Sequence, residues 1–439
     1  MTTTPHHRET EKLIRTVGFW GLVAMCINAV VGSGVFLLPS ESYRLLGAFS
    51  LWAPLLFAVP VFILVLCFAE AASHFSEPGG AYLYARTAFG DFIGFETGWM
   101  NWVARLTSLA SLSNGFVLAL GFFFPGLKEP IPRAIVIILS IVILAIIHIV
   151  GVKYGAASIY IFTWGKLIPL VGFIVLALIT FKHNPIPASL HFPGAGTKWN
   201  EAALFMLFAY AGFENLGVPA GEFKNPQRDL PRSLLAGIVA IGAIYVLAQL
   251  GAMASLTDLS ATDTPIASAA AAIIGPIGAL IVTLGAVLSM AGTNSGTMLE
   301  GSRMLFALSL DRKLGPVSYV HPKFRTPTVA IIIHATVALV FALSGSFATL
   351  ALLSAVARLT TYLFTCAAVP RLRKMGGGFR TPGLVIPILG TLISLWLIVT
   401  LNWPKIIVTA IAIAVGAVVY LLSKPAGGAG EVGAEAARP

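Results

Sequence analysis

The sequence predicts an all-α polytopic membrane protein with about twelve transmembrane helices. Hydrophobic residues make up 57% of the 439-residue chain and charged residues only 10%, whereas ordinary globular proteins contain about 25% charged residues. The apolar residues form long continuous runs, such as 49–67, 134–150 and 406–422, and about 20 apolar residues are enough for a helix to cross a bilayer. A membrane β-barrel would instead show short segments in which apolar and polar residues alternate.

The apolar runs and the polar loops between them define the positions of the helices. We predict helices 1 to 12 at 17–46, 48–74, 92–122, 133–151, 156–181, 199–221, 232–256, 275–309, 327–344, 347–371, 383–402 and 404–423. Residues 1–16 precede them as an N-terminal tail. Residues 424–439 are small, flexible and polar, so we expect a disordered tail there without a function of its own.

The distribution of positive charge predicts the orientation of these helices. Six of the 28 lysines and arginines lie in the loops on one side: Arg44, Lys128, Arg133, Lys182, Lys198 and Lys405. Four lie within helices, and the other eighteen lie on the side of both termini. Because cytoplasmic loops are enriched in lysine and arginine, we expect both termini to lie in the cytoplasm. We expect the chain itself to be in the plasma (inner) membrane. This bias also explains the net charge of +10, so no nucleic-acid partner is expected.

Several function classes lack the residues they require. The three cysteines, Cys26, Cys67 and Cys366, are scattered through apolar runs, which does not fit a zinc site or a disulfide framework. No cluster with metal-ligand spacing and no nucleophile beside a base is evident, so we expect no enzyme, no metal and no cofactor. A channel would need a filter of repeated carbonyls or a ring of charges, and nothing in the sequence indicates one.

Two of the predicted helices contain breaks. Helix 1 carries Gly32-Ser33-Gly34 near its middle and helix 6 carries Ala211-Gly212. Broken helices at corresponding places in two halves indicate a transporter site, although glycines also permit close helix packing. Five helices separate the breaks, and an odd number inverts the second half, so we expect a 5+5 inverted repeat. The repeats would span 17–181 and 199–371, with helices 11 and 12 following at 383–423.

The backbone at such breaks has its own binding chemistry. A half-helix N-terminus exposes N–H groups that suit a carboxylate, and a half-helix C-terminus exposes carbonyls that suit an ammonium group. An amino acid presents both groups close together. The breaks therefore predict an amino acid, or a close amine relative, as the substrate.

Four segments carry a resemblance to a known family. They are GSGVFLLP at 32–39, PGGAYLYARTAFG at 78–90 with GFETGW at 94–99, FAYAGFENLGVPAGEFKNPQRDLPRS at 208–233 and EGSRMLFALSLDRKLGP at 300–316. In this order they resemble the amino acid–polyamine–organocation transporters, whose fold is the broken-helix 5+5 (LeuT-like) inverted repeat. The segments GSGVFLLP and TYLFTCAA (361–368) are most similar to the bacterial arginine/agmatine antiporter branch.

The resemblance implies a substrate site. The backbone at Gly32, Ser33 and Gly34 would bind the substrate carboxylate, and the carbonyls near Ala29, Val30 and Phe208 would bind its ammonium group. The ring of Phe208 would also act as an aromatic gate over the substrate. The pocket for the substrate side chain would be lined by Ala211, Gly212, Ser108 and Leu109. The arginine/agmatine antiporters have tryptophan at the gate and an asparagine where we align Leu109. These two departures weaken an assignment to arginine.

Charged and polar residues inside helices are further candidates, since burying them in a membrane is costly. They are Arg105, Lys166, Glu214, Glu300, Arg303 and Arg358, with the polar segment Thr293-Asn294-Ser295 in helix 8. Glu300 and Arg303 share a helix face, and we interpret them as an internal scaffold pair. Scaffold and functional roles remain open for Arg105 and Glu214. If those two pair, the pocket is nearly neutral and favours zwitterions.

Lys166 predicts how transport is driven. Sodium-coupled relatives of the fold bind a cation between helix 1 carbonyls and helix 8 hydroxyls, whereas proton-dependent members that this chain resembles have a lysine in helix 5. We expect the Lys166 ammonium to contact carbonyls near Val31 and side chains such as Asn294 or Ser295. Protons would then be the coupling partner.

The sequence thus predicts a secondary active amino acid transporter that works by alternating access, independently of sodium, by proton-coupled symport or exchange. Neutral amino acids are favoured as substrates. The alternatives are an antiporter of cationic amino acids or amines and a nutrient sensor that does not transport. We also consider a homodimer in the lipid bilayer.

Overall fold

The computed structural model describes residues 17–75, 79–151, 156–180, 194, 197–217, 223–312 and 314–423. Apart from one isolated bridge between Val17 and Phe223, the regular structure of these residues is helical. The α-helices are α1 (Phe19–Val30), α2 (Gly34–Leu46), α3 (Ala53–Ser73), α4 (Ala81–Phe89), α5 (Asp91–Leu120), α6 (Pro130–Val150), α7 (Ala156–Ile179), α8 (Trp199–Tyr210), α9 (Pro226–Ser255), α10 (Pro265–Arg312), α11 (Thr328–Ser344), α12 (Phe347–Leu372), α13 (Val385–Val399) and α14 (Trp403–Leu422). The predicted tails 1–16 and 424–439 lie outside the described residues.

Each of the twelve predicted helices has a counterpart among these elements. Eight described helices are long and apolar enough to cross a membrane, and α1 and α2 make up a ninth span that is bent by 47°. The shorter apolar helices α11 and α13 correspond to helices 9 and 11. The half-helix α8 corresponds to the first part of helix 6.

Several predicted boundaries are wrong, and local backbone geometry explains them. Helix 2 begins at Ala53 rather than at 48, because residues Gly47–Leu51 form a 3-10 turn. Helix 7 begins earlier, at Pro226, and proline suits the first turn of a helix because it lacks the N–H that would stay unbonded there. Helix 8 continues a helix that starts at Pro265 and kinks at Ile274–Gly275. The short helix α4 was not predicted.

Helices α5 and α12 form the centre of the molecule. Most of their residues are buried, whereas α6 and α14 expose rows of isoleucine, leucine and valine. In a water-soluble protein such rows would be aggregation-prone patches, but in a bilayer they face lipid chains. The outer helices therefore act as the lipid-facing layer around a polar centre.

A buried ion pair fixes the loop after α12. Glu70 of α3 bonds the guanidinium of Arg373 at 2.5 and 3.0 Å, and it accepts a 3.0 Å hydrogen bond from the amide of Thr381. Because removing one partner would leave a buried charge, this contact holds the end of α12 against α3.

Candidate functional site

The first helix break is the point where α1 stops and α2 starts. Helix α1 ends at Val30 and α2 begins at Gly34, so the backbone between them leaves its helical ladder. The first amides of α2 have no partner within their own helix. A β-carbon on Gly34 would lie 2.9 Å from the Cα of Ala209 in α8, so only glycine permits this approach of the two broken helices.

The second break lies directly against the first. Helix α8 ends at Tyr210, and Gly212 has φ +130°, where a side chain would be strained. A β-carbon there would also lie 2.5 Å from the carbonyl oxygen of Ala29. The hydroxyl of Tyr245 donates to the carbonyls of Val30 and Ala209 at 3.3 and 2.6 Å, so it ties the C-terminal ends of both half-helices together.

A small cavity of about 30 Å³ lies between the breaks. Its lining comprises Ala29, Val30, Gly32, Ser33, Gly34, Arg105, Ser108, Leu112, Phe208, Ala211, Thr293, Thr297 and Arg358. The structure thus gathers most of the predicted substrate-site residues around one space. A volume of this size suits one or two water molecules rather than an amino acid, so the site is contracted here.

Two predicted residues do not line this cavity. Leu109 is buried but lies outside the lining, and Leu112 takes its place. The helical period explains this correction: Leu109 follows Ser108 by one residue, about 100° around the helix, and so lies at the edge of the face that Arg105, Ser108 and Leu112 share. Gly212 lies behind the cavity, against Ala29. Because it has no side chain, Gly212 allows the two breaks to lie in close contact.

An aromatic pair separates the cavity from a larger vestibule. The rings of Phe208 and Phe347 meet edge to face with centroids 6.2 Å apart. Phe208 lines the cavity, and Phe347 lines a vestibule of about 410 Å³ that also contains Glu41, Lys128 and Arg133. The aromatic side chain therefore lies at the position expected for a cover over the site.

Glu214 is the centre of a buried ion network beside the cavity. Its Oε1 lies 2.6 Å from Arg105 Nη2 and 2.8 Å from Arg358 Nε. Its Oε2 accepts hydrogen bonds from the amide of Gly212 at 2.8 Å and from the hydroxyl of Tyr362 at 3.3 Å. The carboxylate thus joins α5 and α12 to the second break. Arg105 and Glu214 therefore form an ion pair, which is the arrangement predicted to give a nearly neutral pocket.

The two arginines extend this network to further residues. Arg358 donates to Ser108 at 2.8 Å and also to Ser354. Arg105 Nη1 lies 3.1 Å from Glu300. The carboxylate of Glu300 therefore faces Arg105 across the α5–α10 contact, a partner that the expected scaffold pair with Arg303 did not include. Two arginines and two glutamates give this cluster a formal charge of zero.

Lys166 of α7 contacts the backbone of the first break. Its ammonium group donates to the carbonyls of Asn28 and Val31 at 2.9 and 2.7 Å. The predicted contact with carbonyls near Val31 is confirmed. From α10, the hydroxyl of Ser289 reaches the carbonyls of Val31 and Gly32 at 3.1 and 3.0 Å. A lysine and a serine thus share the carbonyls that the break sets free.

The helix 8 partners expected for Lys166 have other contacts. Asn294 donates to Ser113 of α5 at 3.3 Å, and Ser295 lies 3.1 Å from the imidazole of His148. Ser289, more than one turn earlier in α10, is the residue whose hydroxyl bonds the carbonyls of the break. Sequence reasoning missed it because a serine within an apolar run is a weak signal until the helix rotation is known.

Comparisons with known proteins agree with this architecture. Residues 17–423 match the family model described as amino acid permease. The serine/threonine exchanger SteT of Bacillus subtilis is 29% identical, over 85% of this chain and 86% of the relative. The branched-chain amino acid permease BcaP of Bacillus subtilis is 27% identical, over 94% and 93%. An uncharacterized transporter of Mycobacterium tuberculosis, Rv1979c, is 28% identical over 82% and 81%.

The match covers the described helices from the start of α1 to the end of α14. It identifies a multi-pass membrane protein that transports amino acids and is not an enzyme. The chain belongs to the amino acid permease family, within the amino acid–polyamine–organocation transporters.

Proposed function

We propose that the chain carries neutral amino acids by alternating access, independently of sodium and coupled to protons, by symport or exchange. The observation that carries the proposal is the Lys166 ammonium group, which donates to the carbonyls of Asn28 and Val31 at the first break. These are the kind of oxygen ligands that a bound cation would use. A lysine can release its proton without leaving the site, which a sodium ion cannot do.

The ion network supports a zwitterionic substrate. Arg105 and Arg358 line the cavity, and Glu214 between them is fully buried. With Glu300 as the second acid, the fixed charges cancel. A cationic substrate would meet two guanidinium groups without a free carboxylate to balance its side chain, so the electrostatics disfavour an arginine or agmatine antiporter.

The breaks supply the partners for the amino acid's main-chain groups. The free amides at the start of α2, around Ser33 and Gly34, would bind the carboxylate. The carbonyls of Ala29 and Phe208 would bind the ammonium, since a carbonyl with one partner keeps a second lone pair. Val30 is less suited, because its carbonyl already accepts bonds from the Gly32 amide and from Tyr245.

The names of two relatives support the neutral class. One relative exchanges serine and threonine and the other carries branched-chain amino acids. Both groups of substrates are neutral zwitterions. The two relatives have similar sequence identity to this chain. Their names therefore favour neutral substrates but do not distinguish hydroxylated from aliphatic side chains.

Uptake by purified protein in proteoliposomes tests the proposal. We expect uptake of neutral amino acids in sodium-free buffer and a faster rate when a pH gradient is imposed. Competition by arginine or agmatine stronger than by any neutral amino acid would favour the cationic antiporter. Binding of amino acids with no uptake under any gradient or exchange condition would favour the nutrient sensor.

A further inference from the structure

Among the described residues, three buried polar atoms on the cavity wall have no hydrogen-bond partner. They belong to three residues of the cavity lining: the hydroxyl oxygens of Ser33 and Thr293 and the Nε of Arg105. Ser33 and Arg105 are only 1% and 5% exposed. A buried polar atom without a partner destabilises the protein, so each of these atoms marks a place where a ligand atom would be bound favourably.

The main-chain groups of an amino acid do not account for all three atoms. Ser33 lies at the start of α2, where the free amides already select a carboxylate. Thr293 belongs to α10 and faces the break, with its hydroxyl 3.5 Å from where a β-carbon of Gly32 would stand. Arg105 belongs to α5. Two of the three atoms therefore lie on helices that do not form the breaks.

The Arg105 Nε and the Thr293 hydroxyl indicate the chemistry of the substrate side chain. The Nε of Arg105 can only donate a hydrogen bond, whereas the hydroxyl of Thr293 can donate and accept. A hydroxyl on the substrate can accept from the first or bond with the second, and it carries no charge that would upset the neutral network. An aliphatic side chain in the same place would leave both atoms unsatisfied.

The size of the cavity points to a short side chain. Its volume is about 30 Å³, and Leu112, Phe208 and Ala211 limit it with apolar groups. Any amino acid requires this site to widen, and the widening is smallest for side chains of one to three heavy atoms. Side chains with four or more heavy atoms would displace more of the packed wall.

We infer that the site selects amino acids with a short, hydroxyl-bearing side chain over aliphatic ones of equal shape, and that Thr293 is a specificity-determining residue. The inference deepens the proposed function and rests on it. A site that hydrogen-bonds a substrate hydroxyl discriminates strongly against the analogue without one, because its own polar groups then stay unpaired.

Threonine and valine provide the direct test, because they differ only by a hydroxyl in place of a methyl group. We expect purified protein in nanodiscs to bind L-threonine at least about tenfold more tightly than L-valine, since about 1.4 kcal/mol corresponds to a factor of ten. L-serine should likewise bind more tightly than 2-aminobutyrate, which has an ethyl side chain of equal length.

A pair of variants assigns the preference to its residue. Thr293→Val should lower the threonine-to-valine affinity ratio toward one while valine binding is retained. Thr283→Val is the matched control, because Thr283 lies on the same helix and also has a buried, unpaired hydroxyl but does not line the cavity. It should keep the wild-type ratio.

The outcomes separate the inference from the proposed function. Valine or leucine binding as tightly as threonine to the wild-type protein would overturn the inference and leave neutral amino acid transport standing. An unchanged ratio in a folded Thr293→Val protein would overturn the role of Thr293. If neither neutral amino acid binds while arginine does, the proposed function itself fails, and the inference with it.

Discussion

At the scale of single residues, the two glycines of the first break have different neighbours. A β-carbon at Gly34 would lie 2.9 Å from the backbone of Ala209, but one at Gly32 would lie 3.4 Å from the end of the Thr293 side chain. Gly34→Ala should therefore destabilise the protein by about 1–3 kcal/mol, as overpacking does, and impair substrate binding more than Gly32→Ala. Melting temperatures and affinities of both variants check this. Equal effects would show that the contact with α8 does not set the requirement for glycine.

The Glu214 network gives a second prediction at this scale. Glu214→Gln removes the buried carboxylate that faces both arginines, and losing one partner of a buried ion pair costs about 3–5 kcal/mol. Glu300→Gln is the matched control, because the Glu300 side chain is 30% exposed and contacts only Arg105 within this network. Thermal unfolding in detergent should show a much larger drop for the first variant. Equal drops would mean that Glu214 does not anchor the network.

The sequence predicts this site well where a residue belongs to a backbone break. Gly32, Gly34 and Phe208 lie where their motifs place them, since glycines and an aromatic residue at a helix break are strong local signals. Arg358, predicted only as one of several charged candidates within helices, lines the cavity, and Ser289 was not singled out at all. Their roles depend on helix rotation and on contacts between distant helices, which a single sequence does not specify.

At the scale of elements, the aromatic pair between α8 and α12 predicts a gate. Phe208→Ala removes the ring that separates the cavity from the vestibule and should weaken substrate binding by about tenfold, since burying a phenylalanine side chain is worth about 1.5–3 kcal/mol. Phe208→Leu keeps an apolar cover and should retain most of the affinity. Equilibrium binding to both variants is the measurement. Wild-type affinity in the alanine variant would rule out a cover at this position.

Helix existence was predictable at this scale, and helix ends were less so. Long apolar runs define the spans because lipid requires satisfied backbone groups over that whole length. Long apolar runs do not predict two of the observed helical segments, the extension of α10 back to Pro265 and the short helix α4. Both segments contain too few continuous apolar residues to read as spans, and their helical state depends on packing against the bundle.

At the scale of the whole molecule, the charge bias predicts the orientation. Lys128 and Lys323 are both exposed, and the charge distribution assigns them to opposite sides of the membrane. Single cysteines at these positions should react with a membrane-impermeant reagent from opposite faces. The native cysteines Cys26, Cys67 and Cys366 are buried, so their background should be low. Reaction of both positions from the same face would disprove the predicted topology.

The central claim is that a lysine replaces the coupling cation at the first break. Lys166→Ala and Lys166→Met both remove the ammonium group that contacts Asn28 and Val31, and the methionine variant keeps the apolar stem. Ser289 still donates to the Val31 carbonyl, so we expect both proteins to fold and reach the membrane. Lys323→Met, at an exposed site, is the control.

The decisive measurement is amino acid uptake by these proteins in sodium-free proteoliposomes, as a function of an imposed pH gradient. The wild-type protein and Lys323→Met should accelerate with the gradient. Both Lys166 variants should lose about tenfold or more of that rate, because the barrier between outward and inward states would no longer respond to a proton at the break. A sodium requirement in the wild-type protein, or normal pH-dependent uptake by Lys166→Met, would contradict the mechanism.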